Sequence, residues 1–426
     1  MKRTIILALI ILPMLMFGQI HDTVTIEYCY QQAQKNYPLA RQVDLLGKST
    51  ELRICNLNKN WLPQMNLNGY TSLQSAVTDV VIVLPANLPA IGMPPLSKDW
   101  YKLTLDVNQS IYDGNLTAYQ KKIENSNLQT DEKNVQIELY KLKDRINQVY
   151  FSIFYSQENE ALLNNTKSLL EARFKEVQSA VTNGTMLASN VDALQVELYK
   201  TDQELAELRI DRTSAFQVLS ELTSVSIPET SHLLLPQATL TSMVFENSRL
   251  EYQLFDLQQD RVGLMKNMVN TKLNPKIYAF GQLGYGRPGF NMLSNDFTPW
   301  WIFGAKLNWN IWNWNQNKNE KKIYDIQNDI LKTQKETFDK NTRIEADRGL
   351  SDIVKLTEML RKDEDILALR EKITHTAASQ MDNGVITSSE YISRLNEETQ
   401  ARLALELHQI QLVKAKLSYL FIMGKL

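Results

Sequence analysis

Residues 101–111 alternate: Tyr101, Leu103, Leu105, Val107 and Ile111 are apolar, and Lys102, Thr104, Asp106, Asn108 and Ser110 between them are polar. Further along, Trp301, Phe303, Ala305, Leu307, Trp309 and Ile311 alternate in the same way with Gly304, Lys306, Asn308 and Asn310. A period of two sustained over about eleven residues predicts a strand with one wet and one apolar face, as long as a tilted membrane strand. A weaker partner precedes each, over 64–73 and 276–285, just after Pro63 and Pro275, where a missing ladder donor is tolerated. Elsewhere the rhythm changes. Leu139, Leu142, Ile146, Val149 and Ile153 recur at intervals of three and four within 115–182, and Ala346, Leu350, Ile353, Thr357 and Leu360 keep the same phase within 315–382. These predict two coiled-coil-like helices, each roughly 100 Å long if continuous. They stop at Asn183-Gly184 and Asn383-Gly384, where glycine supplies the left-handed residue that ends a helix. Return helices are expected over 187–222 and 387–423, with Ser189–Asp192 and Thr387–Glu390 reading as capping boxes.

The correspondence between the halves is a repeat. At an offset of 200, Trp100, Asn108, Ile111, Asn115 and Lys121-Lys122-Ile123 meet Trp300, Asn308, Ile311, Asn315 and Lys321-Lys322-Ile323. The expected organisation is a first repeat over 20–227, a linker over 228–239 and a second repeat over 240–426. Each repeat holds a leading helix, a strand pair (64–112 or 276–312), a long helix and a return helix. The linker carries no assigned chemistry.

Composition narrows the class. The 426 residues hold 46 basic and 48 acidic side chains, a balance that argues against a nucleic-acid partner. Glycine (15) and proline (12) are scarce, as befits long elements with few turns. Residues 1–19 read as a secretory signal peptide, with Lys2 and Arg3 ahead of a short apolar core from Ile5 to Phe17. No later window is apolar enough for a membrane helix, so any membrane entry after export must be made by strands. Cys29 and Cys55 lie too far apart along a helical stretch to pair and read as ordinary small hydrophobes. Aromatic residues gather at both strand ends, Trp100, Tyr101, Trp300 and Trp301 at one and Tyr112, Trp312 and Trp314 at the other, as interfacial belts would. Alternation alone fits equally a soluble sandwich face covered by helices; the export signal, the belts and the wet opposite face favour a membrane barrel. Four strands cannot close a barrel, so that reading requires an oligomer, and two chains or three would serve.

Several motifs resemble the TolC family of outer-membrane factors. They are Thr25-Ile26-Glu27 followed by Asn36-Tyr37-Pro38-Leu39, Trp61-Leu62-Pro63-Gln64, Ile111-Tyr112-Asp113-Gly114-Asn115, the two Asn-Gly tips and the 200-residue duplication. The resemblance implies a mainly α chain with a small membrane β part, assembled as a homotrimer. A twelve-stranded β-barrel in the outer membrane would stand on a periplasmic α-helical tunnel with a mixed equatorial region. It implies passive export of cargo delivered by an inner-membrane transporter and a periplasmic adaptor, in efflux or type I secretion. It also implies carboxylates narrowing the periplasmic mouth. That role carries over to Glu390, six residues past the second tip glycine, with Asp192 and Asp382 as further candidates; a cap is the plainer reading of Glu390 and Asp192. Where some relatives carry an aromatic residue and an arginine for a gate latch, this chain has Met381 and Ile386, which puts that latch in doubt. Asn183, Gly184, Asn383 and Gly384 would meet the adaptor.

On this reading Lys102, Thr104, Asp106, Asn108, Lys306, Asn308 and Asn310 line the barrel lumen, and their apolar neighbours face outer-membrane lipid. No cofactor, metal site or catalytic constellation is expected. His21, His232, His375 and His408 have no metal-ligand spacing, and Gly281-Gln282-Leu283-Gly284-Tyr285-Gly286 lacks the order of a dinucleotide loop. The rival readings are a structural or adhesive coiled-coil protein of the cell surface, which would have no barrel, and a periplasmic adaptor, which would not duplicate the strand pair.

Overall fold

The computed structural model describes residues 23–78, 81–82, 91–92, 96–239 and 248–426. The expected signal peptide lies outside them. In chain order the elements are β1 (Thr23–Val24), α1 (Ile26–Asn36), a 3-10 turn at Pro38–Arg41, α2 (Gln42–Lys59), β2 (Gln64–Leu73), β3 (Val81–Ile82), β4 (Ile91–Gly92) and β5 (Asp99–Tyr112). Then come α3 (Leu116–Thr182), α4 (Ala188–Thr223), β6 (His232–Leu233), α5 (Leu250–Met268), a 3-10 turn at Val269–Leu273, β7 (Lys276–Arg287), β8 (Thr298–Asn308), α6 (Gln316–Asp382) and α7 (Ser388–Ile422). The two long helices begin and end at positions 200 apart. The leading helix of the first half, expected as one rod, breaks after Asn36 because Pro38 cannot continue a helical ladder.

Two compact units divide the chain, and each draws on both halves. One comprises 1–40, 138–248 and 342–426; the other comprises 41–137 and 249–341. The unit boundaries therefore cut α3 and α6 rather than separating one sequence repeat from the other.

In the first unit the periodic positions of α3 meet three partner helices. Leu142, Ile146, Tyr150 and Ile153 pack with Cys29 and Ala33 of α1, Phe216 and Leu219 of α4, and Ile410 and Leu417 of α7. Leu139 and Val149 border this core. Ala346 and Ile353 of α6 pack separately with Tyr419 and Met423. Burial raises the Cys29 thiol to about 12, so it behaves as a core hydrophobe; Cys55 is exposed, and both are free thiols.

The inter-repeat linker is tied into this unit. Its β6 pairs in parallel with β1, Thr23 with His232 and Val24 with Leu233. The Tyr150 hydroxyl reaches the carbonyls of Val24 at 2.8 Å and Leu234 at 2.7 Å. Gln157 adds two more bonds, donating to the Ser231 carbonyl and accepting from Leu233 N–H. Two-residue strands have no readable period, which is why the sequence shows only a loop there.

The second unit carries a four-stranded antiparallel sheet in the order β2-β5-β7-β8. The sequence predicts its two hairpin pairs. The β5–β7 pairing that joins the halves, Leu105 opposite Leu283 and Asp106 opposite Gln282, comes from the tertiary structure.

Candidate functional site

The sheet has two chemically different faces, fixed by register. Asn68, Thr104 and Gly284 lie side by side across three strands, as do Asn66, Asp106, Gln282 and Ile302 across four. The sequence-predicted Lys102, Thr104, Asp106, Asn108, Lys306 and Asn308 all share this face. Asn310 does not join them, because β8 ends at Asn308, and Trp309 beyond it instead donates its indole N–H to the Leu273 carbonyl at 3.0 Å. Asp106 is the polar centre of the face: Asn68 and Gln282 donate to it from the flanking strands and Thr104 from its own.

The opposite face is apolar and open. Met65, Leu67, Leu73, Trp301, Phe303 and Leu307 on the two outer strands are each 62–82% exposed. Among the described residues β2 and β8 are hydrogen-bonded on one side only, so both outer edges present unpaired backbone groups.

Register also divides the predicted aromatic cluster. Tyr101 and Trp301 stand on the apolar face, whereas Trp100 and Trp300 stand on the polar face, opposite Ser72 and Gly284. Neighbouring residues in a strand point to opposite sides, so a pair of adjacent aromatics cannot both face lipid. The Lys102 ammonium lies 5.1 Å from the Trp100 ring centre. At the other end, a register shift between Ser110 and Tyr112 sets Tyr112 opposite Ile277 of the apolar face. Trp312 and Trp314 lie past β8 and meet edge to face at 5.9 Å.

The contribution of β7 to the polar face is not readable as alternation, because glycines occupy so many of its positions. Their role is steric. A Cβ at Gly284 would fall 2.2 Å from the Trp300 indole of β8; conversely, on β8, one at Gly304 would fall 2.8 Å from the Phe280 ring of β7. Glycine opposite a large aromatic is the signal that could have located these residues.

The helix tips belong to the first unit and are alike in both hairpins. Gly184 and Gly384 have φ of +74° and +72°, and the next residues, Thr185 and Val385, donate to Ala180 and Gln380 at 2.9 and 2.8 Å. Thr387 and Glu390 form the expected capping box. Ser189 and Asp192 do not: α4 is preceded by Leu187 as its N-cap, so Ser189 already lies inside the helix. Asn190 turns its side-chain carbonyl instead to Ser388 N–H at 3.0 Å, capping the start of the other hairpin's helix.

The three aperture candidates have different surroundings. Asp382 accepts from Arg173 at 2.8 Å, and Arg173 lies 5.6 Å over the Tyr391 ring. Glu390 accepts from Thr387 N–H at 2.8 Å and borders a groove of about 360 Å³ whose lining includes Lys372 and Arg394. Asp192 is exposed. Below them Leu170, Val177, Leu194, Met381, Tyr391 and Leu395 form an apolar cluster drawn from both hairpins, with Ile386 at its margin. Burial pushes the Tyr391 phenol up, with Arg173 beside it pulling the other way. Met381 is thus a core residue with Ile386 packed at its edge, and polar links between the hairpins include those of Arg173 and Asn190. Neither link is visible in sequence, since each joins residues about 200 positions apart.

Among the described residues no helix is long and apolar enough to cross a membrane, and no group of His, Cys, Asp or Glu is arranged to hold a metal. No protein-family model matches the chain, and no curated protein does. Solved structures do match. The Campylobacter jejuni CmeC outer membrane channel is 11% identical with a TM-score of 0.66, over 94% of this chain and 85% of that one. The outer membrane protein VceC from Vibrio cholerae is 13% identical with a TM-score of 0.64, over 94% of this chain and 96% of that one. The Neisseria gonorrhoeae MtrE outer membrane channel is 13% identical with a TM-score of 0.65, over 94% of this chain and 89% of that one. At such identities the likeness is one of architecture, and it extends over nearly the whole of each chain: this protein has the fold of the TolC-family outer-membrane channels.

Proposed function

We propose that this protein is an outer-membrane exit duct. Three copies align their four-stranded sheets edge to edge into a twelve-stranded barrel, and the helical hairpins continue it as a periplasmic tunnel. Cargo arrives from an inner-membrane transporter through a periplasmic adaptor and leaves passively, by efflux or type I secretion. The observation that carries this reading is the sheet: an apolar, exposed face, a polar face, and two unpaired edges. Unpaired backbone groups are too costly in hydrocarbon, so a sheet placed in lipid must close, and four strands are too few to close alone. The shared fold with outer-membrane channels supports the same conclusion.

At the periplasmic mouth, Glu390 repeated around the axis forms an acidic ring that favours cations, with Asp192 and Asp382 nearby and the Asn-Gly tips meeting the adaptor. The test is single-channel recording of the purified trimer in planar bilayers. Discrete conductance steps are expected, and Glu390→Ala should shift the reversal potential toward anions. A well-folded trimer that never conducts overturns the duct; an unchanged reversal potential overturns the ring alone.

A further inference from the structure

The polar face of the sheet contains a groove of about 690 Å³, within the range of roughly 300–1,000 Å³ typical of small-molecule sites. Tyr278, Phe280 and Ile302 give it an apolar floor; Asp106, Asn108, Gln282, Lys306 and Asn308 line it with polar groups. Gly304 lies directly opposite Phe280 and, lacking a Cβ, lets that ring settle against the sheet. Tyr278 is the direct cross-strand neighbour of Lys306, close enough for an aromatic ring and an ammonium to meet one ligand together. Among the described residues Lys306 has no ion pair, and its amide neighbours Asn108 and Asn308 have no side-chain hydrogen bond. The wider face carries three lysines, Lys102, Lys276 and Lys306, against one carboxylate, Asp106. The oxygens of Asp106 are already engaged by Asn68, Thr104 and Gln282.

We infer that this groove binds organic anions bearing an aromatic ring, with the ring on Phe280 and Tyr278 and the anionic group at Lys306, assisted by the Asn108 and Asn308 amides. The chemistry is stacking plus a charge-assisted hydrogen bond. The inference rests on the duct reading in one respect: it takes the polar face to be the water-filled side. The net positive charge of the face draws anions in, and the aromatic floor selects among them. Asp106 acts against binding through its charge, so it and Lys306 have effects of opposite sign.

The test titrates the full-length protein in detergent with 2-naphthoate, with empty micelles as the blank, and repeats the titration with cyclohexanecarboxylate and naphthylmethylammonium. Saturable 2-naphthoate binding is expected, weakened about tenfold by Lys306→Gln, the loss of one charge-assisted contact. Phe280→Leu should weaken it too, and Asp106→Asn should strengthen it. Equal binding of cyclohexanecarboxylate, a preference for the ammonium probe, or indifference to Lys306→Gln overturns the proposal. The same 2-naphthoate titration during single-channel recording separates this idea from the duct. Binding without any conductance counts against the duct and leaves the site standing. Conductance with neither binding nor block overturns the site alone.

Discussion

Glu406 lies half-buried on α7, and its carboxyl is pushed above the usual range by burial first, with Glu158 adding repulsion and Arg402 opposing. An acid whose folded value is raised favours the folded state most at low pH, where it is protonated in both states. That advantage is lost as pH rises through the raised value, because the folded chain must then hold a poorly solvated charge. Glu406→Gln should therefore raise the thermal midpoint at pH 7–8 and change it little near pH 4. Melting curves at the two pH values check this, and an equal shift at both would sink it. Other residues show how far single positions are legible. Glycine at 184 and 384 announces a helix stop because the requirement is local. Arg173 announces nothing, because its value lies in Asp382 and Tyr391, more than 200 positions away.

At the scale of the element, the two helix starts after the tips make a natural pair. α7 is capped by its own Thr387 and Glu390; α4 has no side-chain cap. Thr387→Ala should cost about 1 kcal/mol of stability, and Ser189→Ala should stay within about 0.5 kcal/mol. Chemical denaturation of both variants tests the contrast, and equal losses would mean that Ser189 caps after all. The capping box of the second repeat was readable because it is a local pattern with a fixed spacing. The similar pattern Ser189–Asp192 of the first repeat, placed two positions later, falls inside the helix. Strands behave alike: β5 is plain from its alternation, and β7 is blurred by glycines, of which Gly281 and Gly284 make room for the Phe303 and Trp300 rings of β8.

For the whole molecule, the two sheet faces make the sharpest prediction. Phe303→Arg places a charge on the exposed apolar face, where the cost in a bilayer is about 2–4 kcal/mol near mid-depth. Thr104→Arg places the same charge on the polar face. Folding into lipid vesicles, read by heat-modifiable mobility on gels, should fail or slow for the first and proceed for the second. Equal assembly of both would mean that the apolar face does not meet lipid. The same faces explain why a chain with no membrane helix among its described residues can still belong in a membrane.

The sequence by itself determined the periods, and with them the long helices and β5, where the long helices stop, and the 200-residue offset at which the sequence matches itself. Those properties depend on neighbours within a few residues, through side-chain direction and backbone conformation. Tertiary structure alone decided that the strand pairs join through β5 and β7, that Trp100 parts from Tyr101 and Trp300 from Trp301, that the linker is bound into a core, and that the compact units cut across the repeats. Each of these is a choice of partner between segments remote in the chain. Such choices are settled by which rings fit against which glycines and which carbonyls find a donor, terms that no local pattern carries.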